Sequence, residues 1–108
     1  MTAVHLKREP YDVRVDRRTL WGNPFSIPRD GDRATVIAKH RAWLASDPEA
    51  AEQRRRLPEL RGKVLGCWCA PKPCHGDTLG ALADALPEGW EGLGDEERRA
   101  WIAQEVKA

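Results

Sequence analysis

The residues best suited to chemistry in this sequence are three cysteines and a histidine in one short stretch. Cys67, Cys69 and Cys74 fall within eight residues, and His75 and Asp77 follow directly. Thiolates and neutral imidazoles serve as nucleophiles and as metal ligands. An apolar run leads into the stretch and a helical pattern leads out of it, so the cluster is predicted where a strand passes through a turn into a helix.

One interpretation of this cluster is a thiol or anion site. Cys74 is predicted at a helix N-terminus, where unpaired N–H groups and the helix dipole favour a thiolate or a bound phosphate. Adjacent His75 and Asp77 suit a general base and the carboxylate that orients it. The predicted catalytic set is therefore Cys74 as nucleophile, His75 as base and Asp77 as orienter, and whether the protein is an enzyme stays open.

A second interpretation is a zinc site, the one cofactor that the residue types suggest. Cys67, Cys69, Cys74 and His75 offer a Cys3His ligand set. In an extended strand the first two cysteines would stand roughly 6–7 Å apart, given a rise of about 3.3 Å per residue. Tetrahedral zinc needs its sulfurs less than about 4 Å apart. The two can share one ion only if the strand ends by about Trp68.

A third interpretation is architectural. Cys67, Trp68 and Cys69 would be core residues of the strand, and Asp77 would cap the following helix. The three interpretations predict different thiol chemistry, and the residues alone leave all three open.

A second motif lies earlier in the chain, from Trp21 to Phe25. Its aromatic side chains could pack on their own loop or form a wall for a nucleobase. In the binding interpretation Trp21 and Phe25 contact the base, Asn23 hydrogen-bonds it, and Arg17 and Arg18 contact phosphate.

The elements that must position these residues predict an α/β fold, a small single domain with a short mixed sheet and three to four helices. Strands are predicted at 3–6, 11–15 and 64–69, the last being the inner strand. Helices are predicted at 33–45, 48–56 and 76–86, with a further helix from Asp95 onward. Residues 1–86 would form the domain, and residues 87–108 a linker and C-terminal helix that docks on the domain or on a second copy, as in a homodimer.

Length and charge limit the function classes. A chain of 108 residues has room for one core. It has neither an apolar run of about 20 residues nor a signal-peptide pattern, which predicts a cytoplasmic protein without membrane contact. Residues 1–63 carry 14 Lys and Arg against 9 Asp and Glu, whereas residues 64–108 carry 4 against 8. The basic half favours an anionic ligand such as a nucleotide or nucleic acid.

Together the two motifs resemble a phage and bacterial family catalogued as domain of unknown function 4326. The similarity rests on the segments 21–25, 66–69 and 73–77, covers about residues 3–86 and excludes the tail; the stretch 15–17 departs from the family pattern. The resemblance implies a compact α/β domain, often phage-encoded and then acting in the host cytoplasm, and supplies no activity. It also implies that both motifs share one pocket. The residues concerned are Trp21, Asn23 and Phe25 on one side and Cys67, Cys69, Cys74, His75 and Asp77 on the other.

The functional hypothesis is therefore a pocket that binds, and in the enzymatic case processes, a nucleotide, a nucleoside or a nucleic-acid end. The alternatives are a non-catalytic factor that binds a host protein and a structural module held together by zinc. Placement of both motifs around one concave pocket favours the first hypothesis, and placement on opposite sides would exclude it.

Overall fold

The computed structural model describes residues 3–70 and 72–107, except for the side chain of Lys107. Pro71, part of the predicted loop between strand and helix, lies outside the described residues. The strands are β1 (Val4–His5), β2 (Val13–Arg14) and β3 (Leu65–Cys67). The α-helices are α1 (Arg33–Ser46), α2 (Ala51–Arg56), α3 (His75–Ala85) and α4 (Asp95–Lys107). The α/β class is confirmed.

The three strands form one sheet in the order β1-β3-β2, so the prediction of 64–69 as the inner strand is confirmed. Both pairings are parallel, with Val4 opposite Gly66 and Val13 opposite Leu65. The sheet is therefore parallel rather than mixed. The reason lies in the connection from β2 to β3, which carries α1 and α2 and returns the chain to the same end of the sheet.

The inner strand is closely covered by one residue that follows β1 and one that precedes β2. A Cβ added at Gly66 would stand 2.7 Å from Cγ of Tyr11 and 2.8 Å from Cδ2 of Leu6. Glycine at this position allows the two side chains to lie directly against the backbone of β3.

The helices begin where the sequence supplies caps. Asp32 accepts a hydrogen bond from the Thr35 N–H at 2.9 Å at the start of α1. Asp47 does the same for the Glu49 N–H at 2.9 Å, ahead of the turn that leads into α2. These local bonds explain why the predicted starts agree with the observed ones. Within the described ranges no helix is long and apolar enough to cross a membrane.

The C-terminal segment packs on the rest of the chain. Trp90 and Ile102 are 1% and 0% exposed and belong to the same core as Leu44 and the other buried aliphatic residues. Arg54, fully buried in α2, donates two hydrogen bonds of 2.8 Å to the Asp95 carboxylate. Residues 87–107 thus contribute to the core, and the predicted domain boundary at residue 86 stays a prediction.

Candidate functional site

The two motifs border one cavity of about 420 Å³. One wall comes from the end of β3, the turn after it and the first turn of α3. The opposite wall comes from the loop 16–27 and the start of α1. The lining residues are Asp16, Arg17, Arg18, Asn23, Phe25, Ile27, Arg33, Val36, Ile37, Cys67, Trp68, Cys69, Pro73, Cys74 and His75.

The three cysteines meet at the base of this cavity. Strand β3 ends at Cys67, so the condition that the strand must stop by about Trp68 is met. The Sγ atoms of Cys67 and Cys74 are 2.9 Å apart, and Cys69 turns back to interact with both. Cys67 and Cys74 are buried, whereas Cys69 is half-buried and faces the cavity.

The cluster concentrates negative charge on Cys69. Hydrogen bonds from the Cys67 and Cys74 thiols, together with the nearby Arg33 guanidinium, lower the pKa of Cys69 far below its usual range. The hydrogen bond to Cys69, together with burial, raises the pKa of Cys67, and hydrogen bonds to Cys67 and Cys69, together with burial, raise the pKa of Cys74. Cys74, predicted as the nucleophile, is thus the protonated partner, because it is buried and donates to a thiolate. Cys69 is the thiol whose pKa is lowered, and it lines the cavity.

His75 does not point toward the cysteines. Its Nε2 lies 2.7 Å from the Val15 carbonyl and 2.9 Å from the Trp21 carbonyl. Because both partners are acceptors, Nε2 carries the proton and donates. Burial lowers the pKa of the imidazole, which favours its neutral form. His75 therefore connects helix α3 to the loop that carries the first motif, and the predicted role as general base to Cys74 is not supported.

Asp77 caps α3 instead of orienting His75. Its Oδ1 accepts a hydrogen bond from the Ala3 N–H at 2.8 Å, and its Oδ2 accepts one from the Cys74 N–H at 3.2 Å. The predicted relay of Cys74, His75 and Asp77 is thus not assembled. The architectural interpretation is correct for this carboxylate.

The zinc interpretation also lacks its fourth ligand. The thiols of Cys67, Cys69 and Cys74 come together, but the His75 imidazole is hydrogen-bonded to two carbonyl groups. Among the residues that the structure describes, no group of three or more His, Cys, Asp or Glu side chains is arranged to hold a metal ion.

In the first motif, Trp21 and Asn23 have structural roles. Trp21 is 4% exposed and belongs to the core. The Asn23 amide donates to the Val36 carbonyl at 3.2 Å and accepts from the Phe25 N–H at 2.9 Å. The packing interpretation is correct for Trp21, and the Asn23 side chain is already engaged on both of its polar atoms.

The other predicted binding residues border the cavity. Phe25 is half-buried in its wall. Arg17 donates to the carbonyl groups of Asn23 and Phe25 at 3.4 and 3.2 Å. The Arg18 side chain is exposed and has no hydrogen bond or ion pair with any residue that the structure describes. Phe25, Arg17 and Arg18 are therefore available to a ligand.

Two residues of the site were missed from the sequence. Arg33 opens α1, lines the cavity and donates to the Pro73 carbonyl at 3.3 Å. The sequence predicts Trp68 only as a core strand residue, whereas the structure leaves it 48% exposed. The only available signal for Trp68 was its position between Cys67 and Cys69, because alternate strand residues face opposite ways.

Trp68 is anchored by a buried carboxylate. Its indole Nε1–H donates to Asp16 Oδ2 at 3.0 Å. The Arg14 guanidinium binds the same carboxylate through bonds of 2.9 and 2.7 Å, and together with Trp68 it lowers the pKa of Asp16. Asp16 is the only acidic residue among the described residues that line the cavity, and its negative charge is already paired with the Arg14 guanidinium.

We expect iodoacetamide to modify Cys69 before Cys67 and Cys74. The thiolate is the reacting species, and a lowered pKa keeps Cys69 ionised at pH values where an ordinary thiol, with a pKa of about 8.5, is protonated. Peptide mass spectrometry after timed exposure at pH 6, 7 and 8 measures the rate at each cysteine, and the Cys69 rate should change little over this range. Cys67→Ala, which removes the hydrogen bond with the largest effect on the Cys69 pKa, should slow Cys69 at pH 6, and Arg18→Ala, which leaves the cysteine cluster intact, is the control. Faster labelling of Cys74, or equal rates at all three thiols, would contradict the assignment.

Comparison with known proteins identifies the family. A family model described as "Domain of unknown function (DUF4326)" matches residues 3–85. The chain is 30% identical over 84 residues to an uncharacterized 12.4 kDa protein of the nrdA-td intergenic region of Enterobacteria phage T4, covering 78% of each chain. It is 35% identical over 49 residues to an uncharacterized protein, R718, of Acanthamoeba polyphaga mimivirus, covering 45% of this chain and 35% of that protein. No solved structure matches. Because the family model spans well over half of the 108 residues, this chain belongs to the family of domain of unknown function DUF4326.

Proposed function

We propose that the cavity binds a nucleotide or nucleoside phosphate, including the terminal nucleotide of a nucleic-acid strand. The observation that carries the proposal is the lining of one cavity by both motifs, with aromatic and aliphatic side chains beside three arginines. Its volume of about 420 Å³ lies within the range of roughly 300–1,000 Å³ that is typical of small-molecule sites.

The apolar part of the lining suits a planar base. Phe25, Ile27 and Trp68 border the cavity, and Val36 and Ile37 of α1 lie in its wall. Aromatic side chains hold nucleobases by stacking, and this contact tolerates different bases because every base has a π-face. The wall is therefore expected to accept several bases rather than to read one.

The arginines suit the phosphate. Arg17, Arg18 and Arg33 all line the cavity, and planar guanidinium groups bind phosphate oxygens in pairs. Arg33 lies beside the Cys69 thiolate, which offsets its charge. Arg18 has no such neighbour, so the phosphate is expected closest to Arg18.

The start of α3 is a weaker phosphate site than the sequence suggested. The Asp77 carboxylate already accepts the Cys74 N–H and places negative charge at this helix end. Of the two groups predicted to contact phosphate, we therefore retain Arg17 and Arg18 of the opposite wall, add Arg33, and leave out residues 74–77.

Isothermal titration of the full chain with AMP, CMP, GMP, UMP and dTMP tests the proposal. We expect saturable binding that weakens at least about tenfold in Arg18→Ala, since a hydrogen bond to a charged group contributes about 1.5–3 kcal/mol. Arg61→Ala is the matched control, because Arg61 is exposed and does not line the cavity. Inorganic phosphate should bind more weakly than any nucleotide. Absence of saturable binding, or equal loss in both variants, would refute the proposal.

A further inference from the structure

We infer that the ligand of this site is a single-stranded nucleic acid whose chain continues past Trp68 into a second groove. The inference rests on the proposed function, because the terminal nucleotide must occupy the cavity already described. The new element is a subsite for the neighbouring nucleotide, on the other side of the Trp68 ring.

The second groove adjoins the cavity directly. It has a volume of about 340 Å³, and it shares Arg33, Trp68 and Cys69 with the cavity. Its own lining comes from the residues after β1 and from the turn after β3, namely His5, Arg8, Ala70 and Lys72. A chain that leaves the cavity at Trp68 would therefore enter this groove next.

The groove has the charge that a phosphodiester backbone requires. No Asp or Glu is found among its described lining residues. The side chains of Arg8 and Lys72 are exposed and form no hydrogen bond or ion pair within the described part of the chain. Cations without acidic neighbours are the usual partners of nucleic-acid phosphates. Arg8 and Lys72 are thus assigned to the second phosphate.

Trp68 is built as a platform between the two subsites. Its indole nitrogen is held at 3.0 Å by the buried Asp16 carboxylate, while 48% of the residue remains exposed. The His5 ring meets it edge-on at 5.8 Å, and two cations lie over the ring, the Lys7 ammonium at 5.4 Å and the Arg14 guanidinium at 6.0 Å from its centre, so a stacking base would displace the flexible Lys7 side chain. An exposed aromatic ring that is already ordered loses little freedom when a base stacks on it.

Charge and stacking together favour nucleic acid over an acidic protein segment. The carboxylate side chains of an acidic peptide could pair with Arg8 and Lys72, but they offer no flat ring to Trp68. Nucleic acid supplies both a phosphate for the cations and a base for the ring.

The test compares dTMP with the dinucleotide pdTpdT by isothermal titration. We expect pdTpdT to bind the full chain at least about tenfold tighter than dTMP, which is the gain from one stacked base and one further phosphate. The double variant Arg8→Ala/Lys72→Ala should lose this gain and leave dTMP binding unchanged. The control Arg61→Ala/Lys63→Ala removes the same charge outside both lining sets and should keep the gain. Trp68→Ala should also reduce the advantage of pdTpdT, and its circular dichroism verifies folding.

Each outcome separates the inference from the proposed function. If dTMP binds but pdTpdT gains nothing, or if Arg8→Ala/Lys72→Ala keeps the gain, the second subsite is refuted and the cavity proposal stands. If neither dTMP nor pdTpdT binds, the second subsite and the proposed nucleotide-binding function are both refuted. A glutamate tetrapeptide that binds as tightly as pdTpdT, with the same loss in the double variant, would overturn the inference in favour of an acidic protein partner.

Discussion

The substitution Trp90→Ala is expected to lower the free energy of unfolding by about 3–5 kcal/mol, the usual cost of truncating a fully buried tryptophan. Trp90 is 1% exposed, packs edge-on against Trp101 at a ring distance of 5.4 Å and donates to the Arg54 carbonyl at 2.8 Å. Its loss would leave a cavity and remove one hydrogen bond to the Arg54 carbonyl, which then keeps only the bond from the Leu57 N–H. Urea unfolding followed by far-UV circular dichroism measures the change.

The matched control is Trp68→Ala, which removes an equally large side chain that is 48% exposed. It should cost no more than about 1.5 kcal/mol, mainly from the lost hydrogen bond to Asp16. Equal losses in the two variants, or a loss below about 1 kcal/mol for Trp90→Ala, would show that residues 87–107 contribute little to the core. The predicted boundary at residue 86 would then describe an independent domain.

The substitution His40→Leu is expected to stabilise the protein at pH 7 by about 1–3 kcal/mol, since it removes a buried polar group that lacks compensation. His40 is fully buried in α1, and neither ring nitrogen forms a hydrogen bond of good geometry with a described residue; the Gln53 side chain beside it, whose Oε1 is also without such a partner, only partly opposes the effect of burial on the His40 pKa. The neighbouring His75 ring lies 5.2 Å away and supplies no bond to it. Leucine has a similar volume and no polar atoms, so the core should retain its packing.

The same residue should control the response to acid. Burial, followed by the charge of His75, lowers the pKa of His40 from 6.5 to about 3. When the pKa of a histidine is lower in the folded state, a falling pH protonates the unfolded state before the folded state. Its contribution to stability is therefore complete above pH 6.5 and is lost as the pH falls from 6.5 toward 3, at up to about 1.4 kcal/mol per pH unit.

Urea unfolding of wild type and His40→Leu at pH 7, 6 and 5 measures this slope. This pH range avoids interference from Asp16 and Asp95. Arg14 and Arg54 lower the pKa values of these two carboxyl groups, so they begin to titrate only at lower pH. The variant should retain only the smaller slope that comes from His75, whose pKa is also lowered by burial. Identical slopes in the two proteins would contradict the account of His40.

The helices and the position of the inner strand could be predicted from the sequence, because local interactions determine them. Asp32 and Asp47 cap their helices through backbone N–H groups two or three residues away. Likewise, the apolar run before Cys67 marks a buried strand by its composition alone. The resemblance between the two motifs and a known family added the expectation of a shared pocket. Residues of both motifs line one cavity, but the predicted members Trp21 and Asp77 are not among them.

The chemistry of the site was decided by contacts between distant residues. The Asp77 carboxylate meets the Ala3 N–H, 74 positions away in the sequence, and the His75 ring meets carbonyl groups 60 and 54 positions away. These hydrogen bonds occupy the His75 imidazole and the Asp77 carboxylate, the two groups that their positions next to Cys74 in the sequence predict as catalytic partners.

The ionisation of the thiols also depends on the tertiary structure. Spacing placed the three cysteines in one stretch, but the end of β3 at Cys67 brings the Cys67 and Cys74 thiols against Cys69, and these hydrogen bonds, with a smaller effect of Arg33, lower the pKa of Cys69. The sequence alone determined which residue types would gather here. The tertiary structure decided which of them carries charge and which faces the cavity, because burial and partner groups set the pKa of each thiol.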